Sequence, residues 1–179
     1  FDWVEIDPLI GGSGTSLGLS DNGWEEDDVT VVDLPFDFYY YGKGFDRISV
    51  CSNGWLAMGV TELKNYRNWS LPCPGTPDAM VCAFWDNLYQ DTGVGGVFQW
   101  YDAANHRLII EWSRLRNDSG GGEETFQILL YDPAFHPTDT GDGIIEMQFQ
   151  SVAQVDGVNG YSTTGIQNLD RTDGITYGY

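Results

Sequence analysis

Hydrophobic and polar positions alternate one by one along several short stretches of the chain. In "RLIIEWS", Leu108, Ile110 and Trp112 occupy every second position, and "TFQILLY" and "IIEMQFQ" show the same period. Successive side chains of a strand point to opposite faces, so this period is typical of strands with one face in a core and one in water. We therefore predict half-buried β-strands in these segments.

Further strand candidates lie at short intervals, separated by turn signals rich in Gly, Asn and Asp. They are, in chain order, "DWVEI", "VTVVD", "FDFYYY", "DRISVC", "GWLAMG", "AMVCAFW", "GGVFQWYD", "YSTTGI" and "GITYGY". Gly or Pro interrupts nearly every window that is long enough for a helix. The pattern predicts an all-β fold, an antiparallel β-sandwich with jelly-roll or Ig-like packing of two sheets and long loops.

The length and the absence of a linker predict a single domain over residues 1–179. Because the chain starts at Phe1 with neither a Met nor a signal peptide, we expect a mature protein or a piece of a larger secreted protein. Hydrophobic residues make up 41% of the chain and aromatic residues 15%. So much apolar surface collapses in water, which excludes a disordered chain.

The net charge of the chain limits the classes of partner that it can bind. It carries 27 acidic and 8 basic residues, a formal net charge of −19. Such a surface repels phosphate backbones and anionic lipids, so we expect no nucleic-acid partner, and the absence of a run of 18 apolar residues predicts no membrane insertion. The acidic residues fit either the coat of a secreted, extracellular or cell-surface protein or carboxylate pockets for Ca²⁺.

The stretch "VCSNG" has residue types that also occur in a hydrolase turn. The nucleophile elbow needs a glycine two residues before its serine, but Val50 stands there before Ser52, and "WLAMGV" follows as a strand rather than a helix. The histidines that could serve as a base, His106 and His136, lie in loops. We predict no catalytic residue here and assign Asn53-Gly54 to the positive-φ turn of a two-residue hairpin.

Four acidic residues are candidate Ca²⁺ ligands. Asp86 ends an apolar run, where it is a structural hydrogen-bond acceptor, a general acid or a cation ligand, and Asp91 lies five residues further on. Asp139 and Asp142 belong to the acidic loop "DPAFHPTDTGDG", whose spacing departs from that of an EF-hand. Zinc is not expected, because no Cys-x₂-Cys or His-x₃-His pair occurs.

The segment of residues 62–75 reads as a long loop that carries aromatic side chains. Loop aromatics that do not enter a core stack on sugars or anchor protein partners. We predict a ligand-binding site formed by Tyr66, Arg67 and Trp69, together with Trp24 of another loop. The alternative is that the segment folds back over the end of the sandwich.

The sequence does not decide whether the three cysteines form a disulfide, or which pair would form it. Cys51, Cys73 and Cys82 make an odd count, and Cys73 and Cys82 bracket "PGTPDAMV". Either of these two could pair with the other or with Cys51, and three free thiols fit equally well.

The stretch "LPFDFYYYGKGFDRISVCSNGWLAMG", followed by "MVCAFWDNL" and "GGVFQWYD", resembles the nidogen-type (NIDO-like) extracellular domain. The positions that carry the resemblance are Leu34 to Gly42, Ser52 to Gly54, Phe84 to Asp86, Gly95 to Phe98 and Thr125 to Leu129. Nearly the whole chain is also similar to segments of large secreted bacterial surface proteins, including peptidases related to gingipains. Since the motifs are turns and core aromatics, the resemblance implies a fold more than an activity.

Two departures from the family pattern accompany the resemblance. Ala83 stands where the family has a proline before Phe-Trp. Cys73 and Cys82 lie outside the pattern, which favours a local disulfide between them.

The resemblance implies a non-catalytic extracellular module for adhesion, assembly or ligand binding within a multidomain surface protein. Its partners would be a glycan or protein at the cell surface and the other domains of the parent. One alternative is an accessory or propeptide-like domain of a secreted peptidase or glycan hydrolase whose catalytic domain lies elsewhere in the parent. A second is that this domain is itself a hydrolase, with Asp86 and a second acid as its working pair. Another is a polymer-forming subunit that uses strand addition, because the relatives run on past "GITYGY" into one more strand.

We expect Ca²⁺ at millimolar concentration to raise the melting temperature, because a ligand that binds only the folded state stabilises that state. Thermal unfolding with Ca²⁺ and with EDTA measures the shift. Equal melting temperatures in the two conditions would count against any ordered site.

Overall fold

The computed structural model describes residues 2–22, 26–91, 93–117, 122–153 and 162–179. The strands are, in chain order, β1 (Thr15–Ser16), β2 (Val29–Tyr40), β3 (Lys43–Cys51), β4 (Trp55–Met58), β5 (Met80–Trp85), β6 (Leu88–Tyr89), β7 (Gly96–Asp102), β8 (Arg107–Asn117), β9 (Glu123–Tyr131), β10 (Ile145–Ser151), β11 (Thr163–Gln167) and β12 (Gly174–Gly178). One turn of 3₁₀-helix, Pro8–Ile10, precedes them, and these ranges contain no α-helix.

The strands form two sheets that pack face to face. The first sheet has the order β1-β7-β8-β9-β10, with the short β6 beside β8, and the second has the order β12-β11-β5-β4-β3-β2. Each of these pairings is antiparallel. The predicted all-β antiparallel sandwich is therefore confirmed.

Two of the predicted strands form a single continuous strand in the structure. The segments "VTVVD" and "FDFYYY" both belong to β2, which runs through Pro35. The register of β2 against β3 is interrupted between Asp33 and Phe38. Proline has no N–H for a strand ladder, and it is accommodated here because β2 is an edge strand of the second sheet.

An aromatic stack joins the two sheets at the centre of the core. The Trp112 ring of β8 lies 5.2 Å from the Phe126 ring of β9, and Phe126 lies 5.6 Å from Phe84 of β5, measured between centroids. The indole N–H of Trp112 donates a hydrogen bond to the backbone oxygen of Cys51, at 2.8 Å. A buried indole needs such a partner, so this bond fixes the first sheet against the end of β3.

The outer face of the first sheet is buried, although the alternating pattern predicted that it would face water. Residues 2–14, which include the predicted strand "DWVEI", form no strand until β1 and lie across this face. Ile6 packs there with Ile109 and Leu129. The Glu111 carboxylate, also on this face, accepts a hydrogen bond from the Ile6 backbone N–H at 3.2 Å. The polar positions of β8 are thus covered by chain that lies far away in sequence.

The loop between β4 and β5 covers the outer face of the second sheet. Trp55 and Trp85 both donate their indole N–H to the backbone oxygen of Asn65, each at 2.9 Å. The predicted fold-back therefore occurs over a face of the sandwich and not over its end.

The three cysteines are free thiols, so the expected Cys73–Cys82 disulfide does not form. Cys51 and Cys82 are buried in the cluster beneath this loop, and Cys73 is half-buried at its margin.

The turn between β3 and β4 contains three residues, because Cys51 pairs directly with Trp55. Only its last residue, Gly54, has a positive φ, of 78°. The prediction of a two-residue turn at Asn53-Gly54 was therefore wrong in length, although it located the glycine correctly. A β-carbon on Gly54 would lie 1.8 Å from the backbone oxygen of Phe84 and 3.2 Å from a ring carbon of Phe126.

Glu124 is a carboxylic acid in the interior. It is fully buried in β9, and one carboxylate oxygen accepts a hydrogen bond from the Ala153 N–H at 2.7 Å. The other oxygen has no hydrogen-bond partner in the described part of the chain. Burial, followed by the charge of Asp86, raises the pKa of Glu124 from 4.5 to about 7.

We predict that Gly54→Ala lowers the free energy of unfolding by about 3 kcal/mol, because it adds a backbone clash to an unfavourable left-handed φ. Gly18→Ala is the matched control, since Gly18 has a φ of 67° with open space around it. We expect the control to lose only about 1 kcal/mol, the part due to φ alone. Urea unfolding measures both values, and equal losses would show that the contact with Phe84 is unimportant.

We predict that Glu124 makes stability fall as the pH rises from 4.5 to about 7. Between these two pH values the folded state keeps a proton that the unfolded state has released. The stabilisation from Glu124 is therefore fully present only below pH 4.5 and is lost as the pH rises to about 7. Glu124→Gln should remove this part of the slope, because an amide does not titrate, and its oxygen still accepts the Ala153 hydrogen bond. Urea unfolding across the window tests this, and parallel profiles for the two proteins would contradict it.

Candidate binding surface

The Ser52-Asn53 turn is held by hydrogen bonds that use its polar side chains. The Ser52 hydroxyl donates to the carboxylate of Asp21 at 2.6 Å. The Asn53 amide donates to Asp27 at 2.8 Å, and its oxygen accepts from the backbone N–H of Leu88 at 3.0 Å. These bonds fasten the turn to the loop between β1 and β2 and to the start of β6.

The thiol beside this turn is protected from reaction. Cys51 is fully buried, and burial raises the pKa of its thiol to about 12. Since the thiolate is the nucleophilic form, little of it exists near neutral pH.

The histidines lie at the far end of the sandwich from the turn. His106 immediately precedes β8, and Nε2 of His136 lies 2.9 Å from the backbone oxygen of Asn105. Asn53 instead bonds to Leu88, which pairs with the last residue of β8. Because β8 has eleven residues, roughly 35 Å separates the two ends.

Asp86 lies just beyond β5, where it bridges to β8. One carboxylate oxygen accepts the backbone N–H of Asn87 at 2.8 Å, and the other accepts a short hydrogen bond from the side-chain amide of Asn117. The side chain is buried. The geometry is that of an acceptor that ties the two sheets together.

The other candidate Ca²⁺ ligands lie in separate places. Asp91 forms an ion pair with Arg116 at 2.5 Å, Asp142 accepts the backbone N–H of Gly42 at 2.7 Å, and Asp139 is exposed. No three His, Cys, Asp or Glu side chains of the described residues group as metal ligands. Ca²⁺ binding stays a prediction.

The predicted ligand-binding residues are divided between two places. The Arg67 guanidinium lies over the Tyr66 ring, 5.6 Å from its centroid, beside a depression of about 350 Å³. Trp69 points elsewhere and contacts the Tyr179 ring, with 6.4 Å between centroids. Trp24 lies outside the described residues.

A larger apolar groove, of about 440 Å³, opens at one side of the sandwich. It is lined from β10 by Ile145, Met147 and Phe149, from β11 by Thr164, Gly165 and Ile166, and from β12 by Ile175 and Tyr177. We call it the edge groove.

The edge groove exists because the second sheet extends further than the first. The β10 side chains pack against the core together with Ile166 of β11, but Ile175 and Tyr177 of β12 lie beyond them. Ile175 is 62% exposed and Tyr177 is 88% exposed. Thr176 faces the other way, where its hydroxyl accepts the Leu71 N–H at 2.7 Å. In the ranges that the structure describes, no strand of the first sheet lies opposite β12.

The tip of the β2–β3 hairpin closes one end of the edge groove. The Tyr40 hydroxyl donates to the backbone oxygen of Gln167, at the end of β11, over 2.9 Å. The backbone N–H of Gly143, just before β10, donates to the Tyr39 oxygen at 2.7 Å. Both β10 and β12 therefore begin at this closed end.

The closed end is acidic. The Asp142 carboxylate accepts the Gly42 N–H of the hairpin tip, and Asp173 directly precedes β12, so both lie at this end. Burial raises the pKa of Tyr41, and the charges of Asp173 and Asp142 raise it further. Lys43 of the same tip lies over the Phe45 ring, 5.5 Å from its centroid. Neither carboxylate belongs to an ion pair within the described ranges.

Sequence reasoning missed the edge groove as a site. The segments "IIEMQFQ" and "GITYGY" were predicted as strands, and their apolar alternation was visible. Which strands end a sheet depends on pairings between distant segments, so the alternation alone predicted a core-facing surface.

Comparison with known proteins supports the resemblance seen in the sequence. A model of the family described as NIDO related matches residues 7–177, from before the first strand into the last one. Searches of curated proteins and of solved structures each found no match. Within the described residues no helix is long and apolar enough to cross a membrane. Because the family match spans nearly all of its length, this chain belongs to the NIDO-related family.

Proposed function

We propose that this domain is a non-catalytic binding module that works in adhesion or assembly outside the cell. The observation that carries the proposal is the exposed apolar surface formed by the edge groove and Trp69. This surface exposes apolar side chains and is concave, and both properties are common in binding sites.

The placement of the reactive residue types supports a non-catalytic role. Ser52 and Asp86 use their oxygens to hold turns and strands, and Cys51 is buried. A Ser-His or Cys-His pair needs its histidine within hydrogen-bond reach of the nucleophile, and the histidines lie at the opposite end of β8. These placements support a binding role over a bond-breaking one.

Aromatic side chains continue from the edge groove onto the covering loop. Tyr177 lies in the groove, Tyr179 lies two residues further along the chain, and Trp69 contacts Tyr179. Trp69 is 61% exposed. Exposed Trp and Tyr provide large contact areas to sugars and proteins, so this row suits a glycan or protein partner.

An extracellular location is supported by the net charge and by the burial of two of the three thiols. A formal net charge of −19 keeps an exposed protein dispersed. Cys51 and Cys82 are buried, and burial raises the pKa of both thiols, which slows their oxidation.

We predict that Trp69→Ala lowers binding to printed glycans or immobilised matrix proteins by about tenfold, the loss typical of an exposed aromatic anchor. Phe135→Ala is the matched control, because Phe135 is an exposed aromatic in the loop after β9. The control should bind as the wild type does. Equal binding by all three proteins would contradict a role for Trp69.

The same preparation tests the absence of catalysis. We expect no turnover of chromogenic esters, glycosides or peptides above the buffer rate. Activity that Asp86→Asn abolishes while the melting temperature is unchanged would overturn the non-catalytic proposal.

A further inference from the structure

We propose that the edge groove binds an extended peptide segment of a partner protein, which adds as a strand to the free edge of β10. Alternate apolar side chains of the segment would lie beneath Ile175 and Tyr177, and basic residues at its C-terminal end would meet the acidic closed end. This inference rests on the proposed binding function and specifies the partner.

The shape of the sandwich provides the place for a strand. The second sheet ends at β12, and in the described part of the chain the first sheet ends at β10, with no strand opposite β12. A strand beside β10 would therefore lie under β12 and cover Ile175 and Tyr177, as the strands of the two sheets cover each other elsewhere. It would also hydrogen-bond the edge of β10 that pairs with no other strand of the described residues, which is the mode known as β-augmentation.

The free edge of β10 has few of the features with which sheets avoid such pairing. Natural edge strands are short, or they carry Pro or charged residues. Two other edges follow this rule: β1 has two residues, and β2 contains Asp33, Pro35 and Asp37. The edge strand β12, Gly174–Gly178, has neither a charged residue nor Pro, but it is shorter than β10.

β10 has seven residues without Lys, Arg or Pro, and its register to β9 is regular from Ile145 to Phe149 and shifts only before Ser151. Its one charged side chain, Glu146, accepts a hydrogen bond from the Tyr131 hydroxyl of β9 at 2.6 Å.

The charges indicate which occupant fits. A second copy of this chain would bring another net charge of −19 to the surface, which opposes self-association. A segment with basic residues is attracted instead. The pairings within both sheets are antiparallel, and an antiparallel segment would place its C-terminal end beside the start of β10, close to Asp142 and Asp173.

The test uses synthetic fluorescent peptides and the whole chain. The first peptide alternates Val and Thr over the length of β10 and ends in a lysine pair. The second has the lysine pair at its N-terminal end, and the third has Pro at alternate positions, which removes backbone donors. We expect saturable binding of the first peptide by fluorescence anisotropy, about tenfold weaker binding of the second, and none of the third.

Variants of the protein locate the site. Tyr177→Lys should weaken binding of the first peptide by about tenfold, because it puts a charge into the groove at a side chain too exposed to be needed for folding. Val31→Lys is the matched control, an exposed apolar residue on the edge strand β2. Asp173→Lys should remove the preference for the C-terminal lysine pair. Thermal unfolding confirms that the variants remain folded.

The following outcomes would overturn this inference or, separately, the proposed function. Absence of saturable binding, or equal loss in Tyr177→Lys and Val31→Lys, would show that the edge groove takes no strand. A dimer in sedimentation that Tyr177→Lys alone dissociates would make a second copy the occupant. If peptide binding fails while Trp69-dependent binding to glycans or matrix proteins persists, this inference fails and the proposed function stands. Hydrolysis that depends on Asp86 would overturn the proposed function separately.

Discussion

The architecture depends on a close approach of backbone and aromatic rings at Gly54. The turn that contains this residue lies against the backbone of Phe84 and the ring of Phe126, with no room for a side chain. Next to it, the indole of Trp112 donates to the backbone of Cys51 and joins the first sheet to the second. Since packed interiors tolerate little change of volume, the spacing of the sheets at this end is set by these contacts.

The close packing around Gly54 explains why the polar residues near it have structural roles. Ser52, Asn53 and Asp86 are withdrawn from water, so each of their polar groups needs an internal partner. Their partners come from the neighbouring loops and from the start of the next strand. A cluster that looks reactive in sequence is therefore a set of satisfied hydrogen bonds that orders several loops at once.

Both faces of the sandwich are covered from outside, and this directs recognition to its open side. The amino-terminal segment lies over the first sheet, and the β4–β5 loop lies over the second. Apolar residues that would otherwise be available to a partner are thus buried within the chain. The exposed apolar surface that has a concave shape lies where the sheets differ in extent, next to the acidic tip of the β2–β3 hairpin. We infer that the function of this NIDO-related domain resides at that side.

The sequence by itself determined the class of fold, most of the strands and the glycine of the central turn. Local rules suffice for these, because alternation and turn chemistry act over a few residues. It could not determine that Ile109 and Glu111 would be buried, since the segment that covers them lies about a hundred residues away in the chain. Nor could it show that Ile175 and Tyr177 would stay exposed, because their burial depends on whether another strand lies opposite. Only the tertiary structure decided which alternating strands end a sheet, since strand order is fixed by long-range pairing and by the packing of one sheet on the other.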